Sequence, residues 1–341
     1  MGYMRILVAT FYQYYGNPKG IEPQFYYLYR VPEKMGFEVD FFDYQTAAKI
    51  GLPQMRRLFL NVLRSGKYDA AFIATHQNEF DDGTLSEAKA HTATFGWNSD
   101  DEWRWEDYSS RYVNAYSFMV TNSPAVYAAQ KASHPNLLHA QWACTGIWDG
   151  RTTPKTIDFS FVGQVYGSRL EQISLLRAKC ALQAFGKGSG RVVPASEPKS
   201  GFKEFAKRQL KPIVAHIAPE WVDDTISFDE VNALWNRTRI SFTPLDSSTG
   251  GVRQIKSRVF DMGLSGTLML AHRAPHLDRY YEPDKEYVPF ESMEECVEKA
   301  NYFLGHDSER RRIAEAYAQR TLREHMWEQR IRQVLKAASL L

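Results

Sequence analysis

Arg5-Ile6-Leu7-Val8-Ala9-Thr10 is a short, largely apolar run near the start of the chain, and what surrounds it decides the fold. A helical pattern follows over Gln24 to Met35. Then come a second run, Glu38-Val39-Asp40-Phe41-Phe42-Asp43-Tyr44, a helical pattern over Pro53 to Lys67, and a third run from Asp69 to Thr75. Short apolar runs separated by helical stretches mark βαβ units and a parallel sheet. Further strands are expected at Thr92 to Trp97, Tyr116 to Thr121 and Leu137 to Ala143, which completes one Rossmann-like unit over residues 1–150.

The polar stretch Trp148-Asp149-Gly150-Arg151-Thr152-Thr153-Pro154-Lys155 breaks this pattern with turn residues, and the alternation then restarts. Ile157 to Val162 reads as a buried strand, Ser168 to Phe185 as a long helix and Gly186 to Gly201 as a connection. Helices are expected at Phe202 to Leu210, Phe228 to Arg237, Ile255 to Leu264 and Met293 to Leu304. Strands are expected at Pro212 to Ile217, Ile240 to Pro244, Thr267 to Ala271 and Glu286 to Phe290. The end of the chain, from Ser308, is helical with a break near His325. The expected architecture is therefore α/β, with two Rossmann-like domains facing a cleft. Residues 151–325 form the second domain, and a C-terminal helix over 326–341 crosses back to the first. Open α/β sheets bind ligands at the carboxyl ends of their strands, so loops that follow strands are the ones to search.

Composition agrees with two cores: 341 residues, 44% hydrophobic and 24% charged, are enough for a pair of ordinary globular domains. No apolar run is long enough to span a bilayer. The N-terminal Met1-Gly2-Tyr3-Met4-Arg5 leads into a run too short for a secretory signal, so a cytoplasmic location is expected. Cys144, Cys180 and Cys296 are far apart and odd in number, which points to reduced structural thiols. Forty-two basic residues against 40 acidic ones give a net charge of +2, too balanced to advertise a polyanion across the whole surface. Charge is nonetheless uneven. Residues 80–108 carry eight carboxylates against Lys89 and Arg104, while residues 308–332 carry seven arginines against four glutamates. Solvated helix faces are the simple alternative.

One segment carries the strongest hint of chemistry. After the strand ending at Pro244 come Leu245-Asp246-Ser247-Ser248-Thr249-Gly250-Gly251-Val252-Arg253-Gln254, and a helix is expected from Ile255. A Gly-Gly loop ahead of a helix lets the backbone approach an anion, and a helix N-terminus offers free amides. Arg253, Lys256 and Arg258 add three cations within six residues, enough to offset a diphosphate. Arg258 and Asp261, three apart on a helix, would share a face, so that Asp261 could accept ribose hydroxyls while Arg258 holds phosphate. The alternative is a plain turn followed by a surface ion pair.

At this point a pattern emerges. Lys256-Ser257-Arg258-Val259-Phe260-Asp261-Met262-Gly263-Leu264-Ser265-Gly266-Thr267-Leu268-Met269-Leu270, followed by Pro275-His276-Leu277 and Lys285-Glu286-Tyr287-Val288-Pro289-Phe290, resembles the C-terminal region of group-1-like glycosyltransferases of the spore-maturation CgeB type. Phe159-Ser160-Phe161-Val162-Gly163-Gln164-Val165-Tyr166-Gly167-Ser168-Arg169 resembles that family's opening strand and loop. Trp97-Asn98-Ser99-Asp100-Asp101-Glu102-Trp103-Arg104 resembles its aromatic-flanked aspartate pair. The matches span residues 92 to 330. The resemblance implies a GT-B fold and a nucleotide-diphosphate sugar as donor substrate, held mostly by the second domain. It also implies no cofactor, no metal, and an acceptor approaching from the first domain. A glycan or lipid-linked acceptor is expected, nucleic acid stays open, and peripheral membrane association is compatible with it. Related family-4 enzymes carry a Glu-x7-Glu pair. Asp261 stands at its second position and Arg253 at its first, so the anomeric outcome stays open.

Other candidates sit in loops after strands. Gly163 and Arg169 would turn an amide and a guanidinium toward a cleft phosphate, or Arg169 is a solvated helix residue. Asp100 and Asp101 could take a proton from an acceptor hydroxyl or bind sugar hydroxyls; the alternative is that one caps the next helix. His76, directly after its strand, is a third catalytic candidate, with a structural histidine as the alternative. Trp97, Trp103 and Trp105 could stack on sugar rings or belong to the core. Two other readings stay open: a non-catalytic binder of sugars or nucleotides, and an epimerase of similar architecture.

Overall fold

Leu7 and Ala9 point to one side of their strand and Ile6 and Val8 to the other, and all four are fully buried. A strand covered on both faces is the condition of a parallel sheet inside an α/β layer structure. The computed structural model describes residues 4–13, 20–189, 226–247, 253–274 and 276–341. The helix and strand expected at 202–210 and 212–217 lie outside these residues.

The first sheet holds six parallel strands: β1 (Arg5–Thr10), β2 (Glu38–Asp43), β3 (Ala70–Ile73), β4 (Ala93–Asn98), β5 (Phe118–Thr121) and β6 (Leu137–His139), in the order β2-β1-β3-β4-β5-β6. Among the described residues the second holds five parallel strands: β7 (Ile157–Val162), β8 (Gln183–Phe185), β9 (Thr238–Thr243), β10 (Leu268–His272) and β11 (Val288–Phe290), in the order β11-β10-β9-β7-β8. These are two Rossmann-like domains, and together they make a GT-B fold. In each sheet the strand order reverses once, between β1 and β3 in the first and between β7 and β9 in the second. A crevice opens where neighbouring connections leave in opposite directions. The loops after β1, β3, β7 and β9 therefore frame the site.

Several elements differ from expectation. The long helix expected from Ser168 to Phe185 is Arg169–Cys180, closed by Ala181 in the left-handed conformation (φ 51°), and β8 follows it. The first helical stretch, residues 23–34, contains a π-helical turn, Tyr26–Arg30, just ahead of Pro32. Proline has no N–H to continue the ordinary ladder. Helix Asp82–His91, whose N-terminus is capped by the Asp81 carboxylate, was not anticipated from periodicity.

The chain ends in helices Met293–Gly305, Asp307–Glu324 and Trp327–Ala337. At the break, Cys144 bonds the backbone on both sides: its N–H donates to His325 O at 2.8 Å and its O accepts from Trp327 N at 2.9 Å. The last helix buries Trp327, Ile331, Val334 and Leu335 in one cluster with Ile6, Val8, Phe72 and Trp97 of the first sheet. Each such side chain contributes about 1.5–3 kcal/mol, which is why this helix rests on the first domain after the chain has completed the second. Among the described residues, no helix is long and apolar enough to cross a membrane.

Candidate active site

Among the described residues, two cavities lie between the sheets. The first, about 290 Å³, is lined mainly by the second domain, with Val162, Gly163 and Arg169 after β7, Trp235 and Phe228 as an apolar wall, and Arg258. The second, about 270 Å³, lies on the first-domain side and is more polar, with Glu22, His76, Asp100, Arg104, Tyr27 and Gln254 around it. Lys256, Ser257 and Arg258 line both cavities, so the two spaces meet at these residues.

Lys256 makes no side-chain hydrogen bond or ion pair among the described residues. Its ammonium is pushed down to about 8, chiefly by burial, with Arg258 and Arg169 opposing its charge and Asp100 favouring it. A cation held out of water with no anion in direct contact is poised for an anionic ligand. Arg258 crosses the face of Phe161, with Cζ 5.6 Å from the ring centroid, and its Nη1 donates to Val162 O at 3.4 Å.

Gly163 explains how the guanidinium fits. Its φ of +147° suits glycine, and an added Cβ would lie 3.0 Å from Arg258 Nη2. The expectation that the Gly163 amide faces a phosphate is corrected: this N–H donates to Phe185 O at 2.9 Å, an extension of the β7–β8 pairing.

Arg169 is 1% exposed, which removes the solvated-helix alternative. Its guanidinium stacks on Tyr166 at 4.0 Å and donates to Gln164 O at 3.1 Å and Asp246 O at 2.5 Å. It clamps the loop after β9 while lining the first cavity, and it makes no ion pair among the described residues.

The helix expected from Ile255 is also corrected. Regular structure begins at Arg258 and runs only to Asp261 before a 3-10 turn, Met262–Leu264. Ahead of it, Gln254 N bonds Leu245 O at 3.1 Å and Arg253 pairs with Asp246 in an antiparallel bridge, which holds this stretch extended. Gly250 and Gly251 lie outside the described residues. Arg253 turns aside, donating to Arg273 O at 3.2 Å, and lines neither cavity.

Asp261 lines the first cavity, and its carboxyl is engaged by the first domain there. Its buried carboxyl accepts from the Tyr27 hydroxyl at 2.9 and 3.0 Å, and burial lifts it to about 8 despite Tyr27, Ser257 and Arg258. The surface ion-pair alternative fails for the same reason.

Of the aspartate pair, only Asp100 reaches the cleft. It takes the left-handed conformation (φ 64°), which turns the chain between the two residues. Its carboxylate accepts a hydrogen bond from Gln254 Nε2 of the other domain. Asp101 goes inward: it is 1% exposed and accepts from Ser109 Oγ at 2.6 Å, and burial raises its pKa. Its expected role toward substrate is therefore replaced by a structural one. His76 does line the second cavity, with its main-chain O accepting from Arg104 at 2.6 Å. Burial, then Arg104, lowers its pKa and keeps the ring neutral near pH 7. Trp97 and Trp105 are core residues; Trp103 is exposed and lines neither cavity.

Sequence reasoning missed Glu22, Tyr27, Arg104 and Gln254. The available signal was position alone, because Glu22 follows β1 just as His76 follows β3. Among the described residues, no cluster of three or more His, Cys, Asp or Glu could hold a metal ion.

A family model described as glycosyl transferase-like matches residues 201–336. No curated protein matches the chain by sequence. Solved structures share the fold at low identity. A glycosyltransferase from Rickettsia africae has a TM-score of 0.62 at 10% identity, with 99% of this chain and 98% of that one covered. Anabaena Alr3699/HepE, solved with UDP and glucose, has a TM-score of 0.59 at 12% identity, covering 99% and 100%. An alpha-glucosyltransferase in complex with UDP-glucose and DNA containing an abasic site has a TM-score of 0.65 at 11% identity, again covering 99% and 100%. These neighbours are GT-B glycosyltransferases.

Proposed function

We propose that the protein is a glycosyltransferase of the CgeB-like kind that moves a sugar from a nucleotide-diphosphate donor to an acceptor hydroxyl. The observation that carries this reading is the meeting of two cavities at Lys256 and Arg258. The first cavity takes the nucleotide, with its base and ribose against the apolar wall of Phe228 and Trp235. The diphosphate reaches the two cations at the junction, where charge-assisted bonds stabilise it. The sugar and acceptor occupy the second cavity, where hydroxyl-binding groups converge.

As the C1–O bond to phosphate breaks, negative charge grows on the leaving diphosphate, and Lys256 and Arg258 offset it. Arg169 acts from behind by fixing the Asp246 loop. His76 and Asp100 face the acceptor side. No group here calls for a metal, since the two cations supply the charge that a divalent ion would otherwise bring. A glycan or lipid-linked acceptor fits the near-neutral net charge better than a polyanion.

The test is calorimetry of wild type and Arg258→Ala with UDP, GDP and ADP. Wild type is expected to bind one of them, and Arg258→Ala to weaken it by about 10- to 100-fold, the loss of one charge-assisted bond. Unchanged affinity in the variant would overturn the site.

A further inference from the structure

Glu22 stands at the mouth of the first helical stretch, after β1 and beside the point where the first sheet reverses its order. It is 6% exposed, it lines the second cavity, and its Oε2 has no hydrogen-bond partner among the described residues. The side chain caps no helix. A buried carboxyl oxygen without a partner loses its solvation, and the Gln24 backbone N–H, which favours the charged form of this carboxyl, offsets burial only in part. Asp100 is already bonded to Gln254 and Asp101 to Ser109. Among the carboxyls that line this cavity, Glu22 is the one with a buried oxygen that has no hydrogen-bond partner among the described residues.

We propose that Glu22 is the catalytic base that takes the proton from the incoming acceptor hydroxyl. The inference rests on the glycosyltransferase reading above and adds to it the group that activates the acceptor. In the step, the hydroxyl proton passes to Glu22 Oε2 while an oxygen lone pair forms the new bond to C1. The C1–O bond to the diphosphate breaks, and its electron pair leaves with the nucleoside diphosphate at Lys256 and Arg258. The proton on Glu22 is later released to solvent.

The surroundings fit this work. Burial lifts the carboxyl to about 8, close to a working pH, where a base combines useful strength with a useful ionised fraction. The groups around it are the phenols of Tyr27 and Tyr44, together with His76, Asp100 and Arg104 of its own domain and Lys256 and Arg258 of the other. Lys256 also titrates near 8, but with the opposite direction: losing its charge weakens the hold on the diphosphate and lowers turnover as pH rises, whereas losing the proton on Glu22 raises it.

The experiment needs no acceptor, because water serves as a slow one. UDP-glucose, GDP-mannose and ADP-glucose are incubated with wild type and Glu22→Gln, and nucleoside diphosphate release is measured from pH 6 to 9. Binding of UDP, GDP and ADP is measured alongside. The expected result is unchanged nucleotide affinity, with release lowered about 10²- to 10⁴-fold in Glu22→Gln. In wild type, kcat should rise with pH toward about 8 as the carboxyl loses its proton. Release within threefold of wild type, loss of nucleotide binding along with release, or a flat wild-type kcat profile would each overturn the role of Glu22. Failure of wild type to bind any of the three nucleotides would instead overturn the donor reading on which it rests. Because the wild-type profile is independent of the variant, a Glu22→Gln chain that does not fold still leaves the proposal exposed to refutation.

Discussion

The Tyr27 hydroxyl donates to the Asp261 carboxyl at 2.9 Å, joining residues 234 positions apart across the two domains. Tyr27 also stacks on Trp327, with ring centroids 4.7 Å apart and 17° between planes. One side chain therefore touches the second domain through its hydroxyl and the returning C-terminal helix through its ring. Tyr27→Phe keeps the stack and removes the donor, at an expected cost of about 1–3 kcal/mol, because a buried carboxyl loses a partner. Urea denaturation measures it. A change below a few tenths of a kcal/mol would show that the bond contributes nothing.

The same carboxyl makes stability depend on pH. Burial holds Asp261 at about 8 in the folded state, against about 3.9 in an unfolded chain. Between these values the folded state keeps a proton that the unfolded chain has released. Stability from this group is thus full below about 4 and falls as pH rises toward about 8, by at most about 1.4 kcal/mol per pH unit. Asp261→Asn should remove that part of the slope and leave the similar one from Glu22. Denaturation midpoints from pH 5 to 8 would show it; equal slopes in both proteins would refute the assignment.

Lys256 has the opposite sign. It is charged below about 8 and neutral above, since burial lowers its pKa. Nucleoside diphosphate affinity in wild type should hold steady up to that pH and fall beyond it. Lys256→Met should bind about 10- to 100-fold more weakly at pH 7 and show no such fall between pH 7 and 9. A variant that keeps the wild-type decline would locate the titrating group elsewhere.

Gly163→Ala tests the packing under Arg258. The new methyl meets Nη2 at 3.0 Å on a backbone with φ of +147°, so strain of about 1–3 kcal/mol is expected. The guanidinium must also move. Both the melting temperature and nucleotide affinity should drop, whereas a loss of stability alone would mean that the exact place of Arg258 does not matter for binding.

The sheet strands were legible because period and apolar runs are local properties: β7 matches its expected bounds, and the break near His325 followed from the pattern. The helix expected at Ile255 was not, since Gln254 is held extended by Leu245, a contact that periodicity does not see. β8 was absorbed into a helix because a left-handed alanine at 181 leaves no compositional trace.

The site divides in the same way. Loops after strands could be named from the chain alone, and they included Arg169, Lys256, Arg258, Asp100 and His76. The order in which strands pair, however, set which loops meet, and that order depends on long-range contacts. Tertiary structure alone turned Asp101 inward to Ser109, committed Asp261 to Tyr27 and left Glu22 buried with a free oxygen. A carboxylate reads the same in sequence wherever it lies; burial and the partners brought by folding decide whether it is a strut, a latch or a base.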